Sequence, residues 1–145
     1  MNGYVAVTDW GWYKYQSERK RERVLFWRHS VTPVSLLPGD YFFFLIRGKL
    51  PRLIKGYGIV EEASSGVISK IWDKYKDLMG YSDLLDLKRG LGKAENERVA
   101  YYILKSVKYF PEPTVTDSDI DFDKSIMAGR FSTPQELNFL KEKLI

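Results

Sequence analysis

The chain has 145 residues, 44% of them hydrophobic and 29% charged, and carries a net charge of +4. That length and balance fit one globular domain, residues 1–145, with enough chain to bury a core of its own. With no cysteine and a single histidine, His29, disulfides, thiol nucleophiles, zinc–thiolate sites and multi-histidine metal centres are excluded, and a Ser-His-Asp triad is disfavoured.

In chain order, the apolar run Tyr4–Val7 predicts a first strand that stops at Thr8-Asp9. Asp9 suits the N-cap of a helix running to about Arg19, with Trp10, Tyr13 and Ser17 on one face. Val24–Trp27 predicts a second strand. The turn Leu37-Pro38-Gly39-Asp40 leads into Tyr41–Ile46, six continuous apolar residues that predict a strand buried on both faces. A loop around Pro51 follows, then a strand over Leu53–Glu61. Its Gly56 and Gly58 share one face, where a strand can bend or approach other backbone closely. Val67, Ile68, Ile71, Trp72 and Tyr75 recur at helical spacing and predict a helix over 65–78. A second helix is expected from Ser82 to Arg89, stopped by Gly90, and a long strand over Ala100–Lys108. After an acidic loop, Thr133, Pro134 and Glu136 form a capping box ahead of Leu137, Leu140 and Leu144, a helix start and its apolar face. Together these elements predict an α+β fold: a small, partly open β-barrel of five or six strands with inserted helices and a C-terminal helix.

Charge is unevenly spread. Residues 1–60 hold ten Lys/Arg against four Asp/Glu, and residues 112–145 hold four against seven. A basic front half favours a polyanionic partner. Three Asn, two Gln and no cysteine lean toward a thermophilic source. The longest apolar run is far shorter than a membrane span and no N-terminal targeting segment is evident, so a cytoplasmic protein without a membrane partner is expected.

Aromatic rings interleaved with cations suit a pocket that stacks a flat base beside a phosphate backbone. Trp10, Trp12 and Trp27 are the candidate walls, each weighed against an ordinary core position. Trp27 ranks first because Arg28 and Ser30 follow it and can hydrogen-bond a base edge. Trp72 fits the apolar helix stripe and is expected in the core. Thr8 and Asp9 serve either as a helix cap or, in the case of Asp9, as acceptor for an exocyclic amine. Arg19, Lys20, Arg21 and Arg23 alternate with Glu18 and Glu22 and predict a solvated helix end. Arg47, Lys49, Arg52 and Lys55 have no acid among them and form the better candidate phosphate patch, with Arg28 beside them. Asp117, Asp119, Asp121 and Asp123 have the spacing of a calcium loop without its mid-loop glycine or final glutamate, so no metal site is expected. No cofactor and no catalytic residue are assigned, since neither a P-loop nor a nuclease metal motif is present.

Several pieces occur together in a consistent order: Gly3-Tyr4-Val5-Ala6-Val7-Thr8-Asp9-x-x-Trp12-Tyr13, Phe26-Trp27-Arg28-His29-Ser30, Leu37-Pro38-Gly39-Asp40-x-Phe42-Phe43-Phe44, Ile54-x-Gly56-Tyr57-Gly58, and Phe122-x-x-Ser125-Ile126-Met127-x-Gly129-Arg130-Phe131. In these the chain resembles the PUA-like superfamily, which includes PUA, ASCH, EVE and YTH domains. Within it the chain looks most like the N-terminal domain of HNH-type and Mcr-type modification-dependent restriction proteins. The resemblance implies a module that reads a modified or flipped-out base, DNA being favoured over RNA. It also implies a nuclease or NTPase subunit or fused domain that this chain does not contain. An alternative from the same superfamily is an ASCH-like enzyme acting on modified nucleosides through a Lys, a Thr and a Glu. Here Thr8, several lysines, Glu61, Glu62 and Asp40 are on offer, without an evident set. RNA binding is a further alternative, and a structural domain is the reading if the aromatics prove fully buried.

Overall fold

The computed structural model describes residues 1–145, built around β3 (Tyr41–Ile46). Phe42, Phe43, Phe44 and Leu45 are completely buried, because this strand has apolar neighbours on both faces. It pairs in parallel with β1 (Gly3–Thr8) and antiparallel with β4 (Ile54–Val67). The antiparallel β5 (Arg98–Tyr109) joins β4, β2 (Val24–Arg28) joins β5, and β6 (Gly129–Phe131) pairs with β1. The resulting six-stranded order is β2-β5-β4-β3-β1-β6. No helix is long and apolar enough to cross a membrane.

The sheet curls. β2 and β3 stand three strand spacings apart, about 14 Å in a flat sheet. Yet the Phe26 and Phe42 rings lie 4.8 Å apart between centroids. Only a sheet rolled toward a partly open barrel brings them together, and irregularities in the β4 ladders near Gly58 and Glu61 supply the bend. Tyr4, Ala6, Val24, Phe42, Phe44, Val60, Tyr102 and Leu104 fill the interior, with Trp12 and Tyr13 from α1 (Trp10–Glu18). On the outer face, α4 (Pro134–Leu144) covers Val5, Val7, Phe43 and Leu45 with Leu137 and Leu140. α2 (Ile68–Tyr75) and α3 (Leu84–Leu91) cover Leu25, Val99, Tyr101 and Ile103 at the other end of the sheet.

The departures from the sequence reading have local causes. The strand expected to end at Glu61 runs on to Val67, because residues 62–67 pair with the first half of β5; α2 therefore begins at Ile68. Helix α3 starts after Asp83, whose carboxylate caps it, and ends at Gly92 with φ +65°, two residues past Gly90. Gly90 lies inside the helix, at a position where any side chain would meet the Tyr81 ring. β6 is only three residues long and has no apolar alternation to reveal it. At Thr133 the capping box forms as expected.

The candidate phosphate ligand Arg52 is placed elsewhere. It is 6% exposed and its Nε donates to Asp117 at 3.1 Å, while its other nitrogens donate to the carbonyls of Asp123 and Ile126. The acidic segment thus docks on the β3–β4 connection, and its aspartates are spent locally. Asp119 accepts from the Thr116 backbone N–H and Asp123 from that of Ser125. Arg52→Ala leaves the Asp117 carboxylate buried without a partner. It is expected to lower unfolding free energy by about 3–5 kcal/mol in denaturant titrations.

Arg130 makes a two-pronged contact with Glu136, at 2.9 Å on each oxygen. Hydrogen bonding to Arg130 holds the Glu136 carboxyl below its ordinary 4.5. A carboxyl depressed in the folded state stabilises above its unfolded pKa and loses that contribution as pH falls through the folded one. Glu136→Gln is therefore expected to lower the Tm at neutral pH, with the gap to the parent narrowing below pH 4.5.

Candidate functional site

A cavity of about 540 Å³ opens at the barrel end where β1 and β2 finish and α1 begins. Its inner wall comes from the inward-facing side chains of four strands, Tyr4 of β1, Phe26 of β2, Phe42 of β3 and Tyr102 of β5, backed by Trp12. Its outer wall is Trp27 with Tyr81 and Leu91, and its mouth carries Asp9, Arg28, His29, Ser30, Arg47 and Met127. β1 delivers Asp9 and β3 delivers Arg47 to the same end because the two strands run parallel in register, Thr8 opposite Ile46.

Of the seven candidate base-pocket residues, five line this cavity: Asp9, Trp12, Trp27, Arg28 and Ser30. Thr8 does not; it is fully buried and its hydroxyl donates to the Ala6 carbonyl at 2.9 Å. Trp10 stands outside, 48% exposed and stacked on Tyr13. Of the two roles foreseen for Asp9, the structure shows the helix cap. Its Oδ2 accepts from the Trp12 backbone N–H at 3.0 Å, capping α1, while the same carboxylate borders the cavity.

The two pocket tryptophans differ. Trp12 is 4% exposed, donates its Nε1–H to the Leu25 carbonyl at 3.0 Å, and meets Phe26 and Phe44 edge-on. Gly80 packs against its indole so closely that any side chain there would collide with the ring. Trp27 is only half-buried, packed beside the cluster under α2 and α3. Its Nε1–H is shut off from solvent with no acceptor, a cost of about 1–3 kcal/mol.

The four-residue phosphate patch is split. Arg47 joins Arg28 at the cavity mouth, and Lys49 is exposed in the loop beyond. Arg52 is buried against Asp117. Lys55 lies at a second, separate groove, its ammonium 5.1 Å from the Trp10 ring centre and 5.7 Å from that of Tyr13.

Three phenols went unnoticed in the sequence. The Tyr4 hydroxyl is pushed above 10.0 by burial, with the positive charge of Arg28 opposing and Tyr102 adding to the rise. Burial and the nearby Asp9 carboxylate raise Tyr81 as well. Tyr102 accepts a hydrogen bond at its hydroxyl from the Val34 backbone N–H. Tyr4 could have been found by carrying strand alternation through β1, which turns Tyr4 and Ala6 inward together. Tyr81 sits in an irregular connection between helices and gave no pattern to follow.

No protein-family model matches the sequence, and no curated protein does. Solved structures do match in shape. The crystal structure of the ASCH protein from Zymomonas mobilis superposes with a TM-score of 0.70 at 10% identity, covering 97% of this chain and 94% of that one. A tyrosine-to-phenylalanine variant of the same protein gives 0.71 at 9% identity over 98% of both chains. A serine-to-alanine variant gives 0.70 at 13%, covering 97% of this chain and 95% of that one. The fold is PUA-like, of the ASCH type. Within this ASCH-type fold a Lys, Thr and Glu set does not assemble at the cavity. Thr8 is sealed, Glu61 is paired with Arg23 at 2.6 Å, and Glu62 accepts from the Tyr75 hydroxyl.

The unequal embedding of the tryptophans gives a direct test. Trp12→Ala is expected to cost about 3–5 kcal/mol in equilibrium unfolding, whereas the exposed Trp10→Ala stays within about 0.5 kcal/mol of the parent.

Proposed function

We propose that this ASCH-type domain binds nucleic acid and takes one base, flipped out of its stack, into the cavity beside Trp27. The observation that carries this is the cavity itself: roomy enough for a base, walled by aromatic rings, with Arg28 and Arg47 together at its mouth. Pockets of roughly 300–1,000 Å³ suit small flat ligands. Stacking returns about 1–3 kcal/mol per base, comparable to the cost of unstacking it. The arginines provide for phosphate, and Asp9 with Ser30 provides an acceptor and a hydroxyl for a base edge. The unsatisfied Trp27 indole N–H lies in the half-buried wall of the pocket. A shift of that ring on ligand entry would give the donor a partner.

Recognition of a modified base, DNA as the partner and service within a modification-dependent restriction system in the cytoplasm are the finer parts of the proposal. Their support is the ordered motif resemblance, including Phe26-Trp27-Arg28-His29-Ser30, all five residues of which line the cavity. The catalytic step of such a system would belong to a nuclease or NTPase partner.

Binding to matched oligonucleotides, plain or carrying cytosine or adenine modifications, single- and double-stranded, tests the proposal across a range of salt. Arg28→Ala and Arg47→Ala should weaken all sequences about equally and each lower the salt slope by about 0.9 on duplex DNA. Trp27→Ala should abolish discrimination between modified and plain bases while leaving most of the affinity. A large loss of Tm with selectivity intact would put Trp27 in the core instead. Salt-independent behaviour together with turnover of a modified nucleoside would favour an enzyme using the phenols of Tyr4 and Tyr81.

A further inference from the structure

On the far side of the first turn of α1 lies a second groove, of about 600 Å³ and more open than the first. Asp9 borders the base cavity and its neighbour Trp10 borders this groove, so the edges of the two sites are carried by consecutive residues at the start of α1. We propose that the groove holds the single-stranded nucleic acid flanking the captured base, with the next base stacked on Trp10 and its phosphates on Lys20, Lys55 and Lys108. This rests on the base-capture reading above and extends it from one nucleotide to a strand.

The groove is built from chemistry that suits a strand. Trp10 lies on Tyr13, centroids 5.8 Å apart and planes 24° from parallel, with nearly half of its surface still exposed. One ring can therefore be stacked internally while the other side receives a base. Tyr13 and Tyr109 meet edge-on below it, and both hydroxyls are tied to backbone, Tyr13 to the Lys55 carbonyl and Tyr109 to the Arg21 carbonyl. The floor is therefore rigid. Around it stand Lys20, Lys55 and Lys108 against Glu22, since Lys14 is already matched by Glu18 at 3.9 Å. A surplus of cations around an open ring is how sequence-tolerant single-strand binding works.

The backbone supports this placement. Lys20 has φ +51° and Ser106 φ +52°, two of the three non-glycine residues in the left-handed region. A glycine ordinarily ends a helix in that conformation, yet here it places a lysine at the groove edge. Ser106 forms the extra residue in β5 opposite Gly58, between the Lys105 and Lys108 pairings. The bulge re-aims that strand end toward the groove. Strain concentrated at one surface is a pointer to use.

The experiment compares a mononucleotide with homopolymer single strands up to a decamer, by fluorescence anisotropy or calorimetry. Parent protein should gain affinity with length. Trp10→Ala should bind the decamer about tenfold more weakly while leaving the mononucleotide unchanged. Lys20→Gly, which suits the left-handed backbone, and Lys108→Ser should each lower the salt slope by about 0.7. Trp10→Phe should keep most of the decamer affinity. Mononucleotide binding with no gain in length, or decamer affinity untouched by Trp10→Ala, overturns the groove and leaves the base cavity standing. Decamer binding that needs Trp10 and not Trp27 or Arg28 does the reverse: it supports the groove and removes the cavity. Preference for an acidic peptide over the decamer overturns the groove's assignment to nucleic acid.

Discussion

Everything in this molecule depends on β3 having no solvent face. Phe42 and Phe44 fill the interior of a rolled sheet, and Phe43 and Leu45 anchor α4 on the outside. Four fully buried large side chains in succession remove several hundred square ångströms of apolar surface from water, worth on the order of 10 kcal/mol before entropy is charged. Here α4 excludes water from one side of this strand, and the roll of the sheet itself excludes it from the other. Rolling brings β2 round to meet β3 through Phe26 and leaves a hollow at the end where the roll does not close. The cavity is a by-product of how the core is made.

That origin explains the mixed character of the site. Strand interiors supply its aromatic wall, so Tyr4, Phe26 and Phe42 serve the core and the cavity at once. Strand ends supply its charges: Asp9 and Arg47 directly follow β1 and β3, and Arg28 is the last residue of β2. Helix α1 then acts as a divider. Its capping carboxylate looks into one hollow, and the tryptophan beside it looks into another.

Sequence made the central elements plain where burial imposed a strong pattern. The Tyr41–Ile46 run, the Thr133–Glu136 capping box and the aromatic-cationic character of 26–30 needed no partner to be read. What escaped depended on partners distant in the chain. The tail of β4 is held by β5 some thirty-five residues away, β6 by β1, and Arg52 by Asp117, sixty-five positions on. Arg52 shows the problem in its purest form. In a sequence it is indistinguishable from Arg47, yet one side chain turns into the protein toward a carboxylate and the other stays at the mouth. Lys55 likewise reads as a neighbour of Arg52 and belongs to the opposite side of α1.

The contact between Gly80 and Trp12 bears on how such a pocket can change over time. One wall is fastened by the same packing that keeps the barrel folded, and variation there is removed by loss of the fold before any new ligand could be tried. The facing wall, where Trp27 is half-buried with its N–H unsatisfied, is less tightly sealed. Descendants of this chain would therefore diversify what they recognise through the β2 side of the cavity, keeping the Trp12 side as a fixed template against which new partners are fitted.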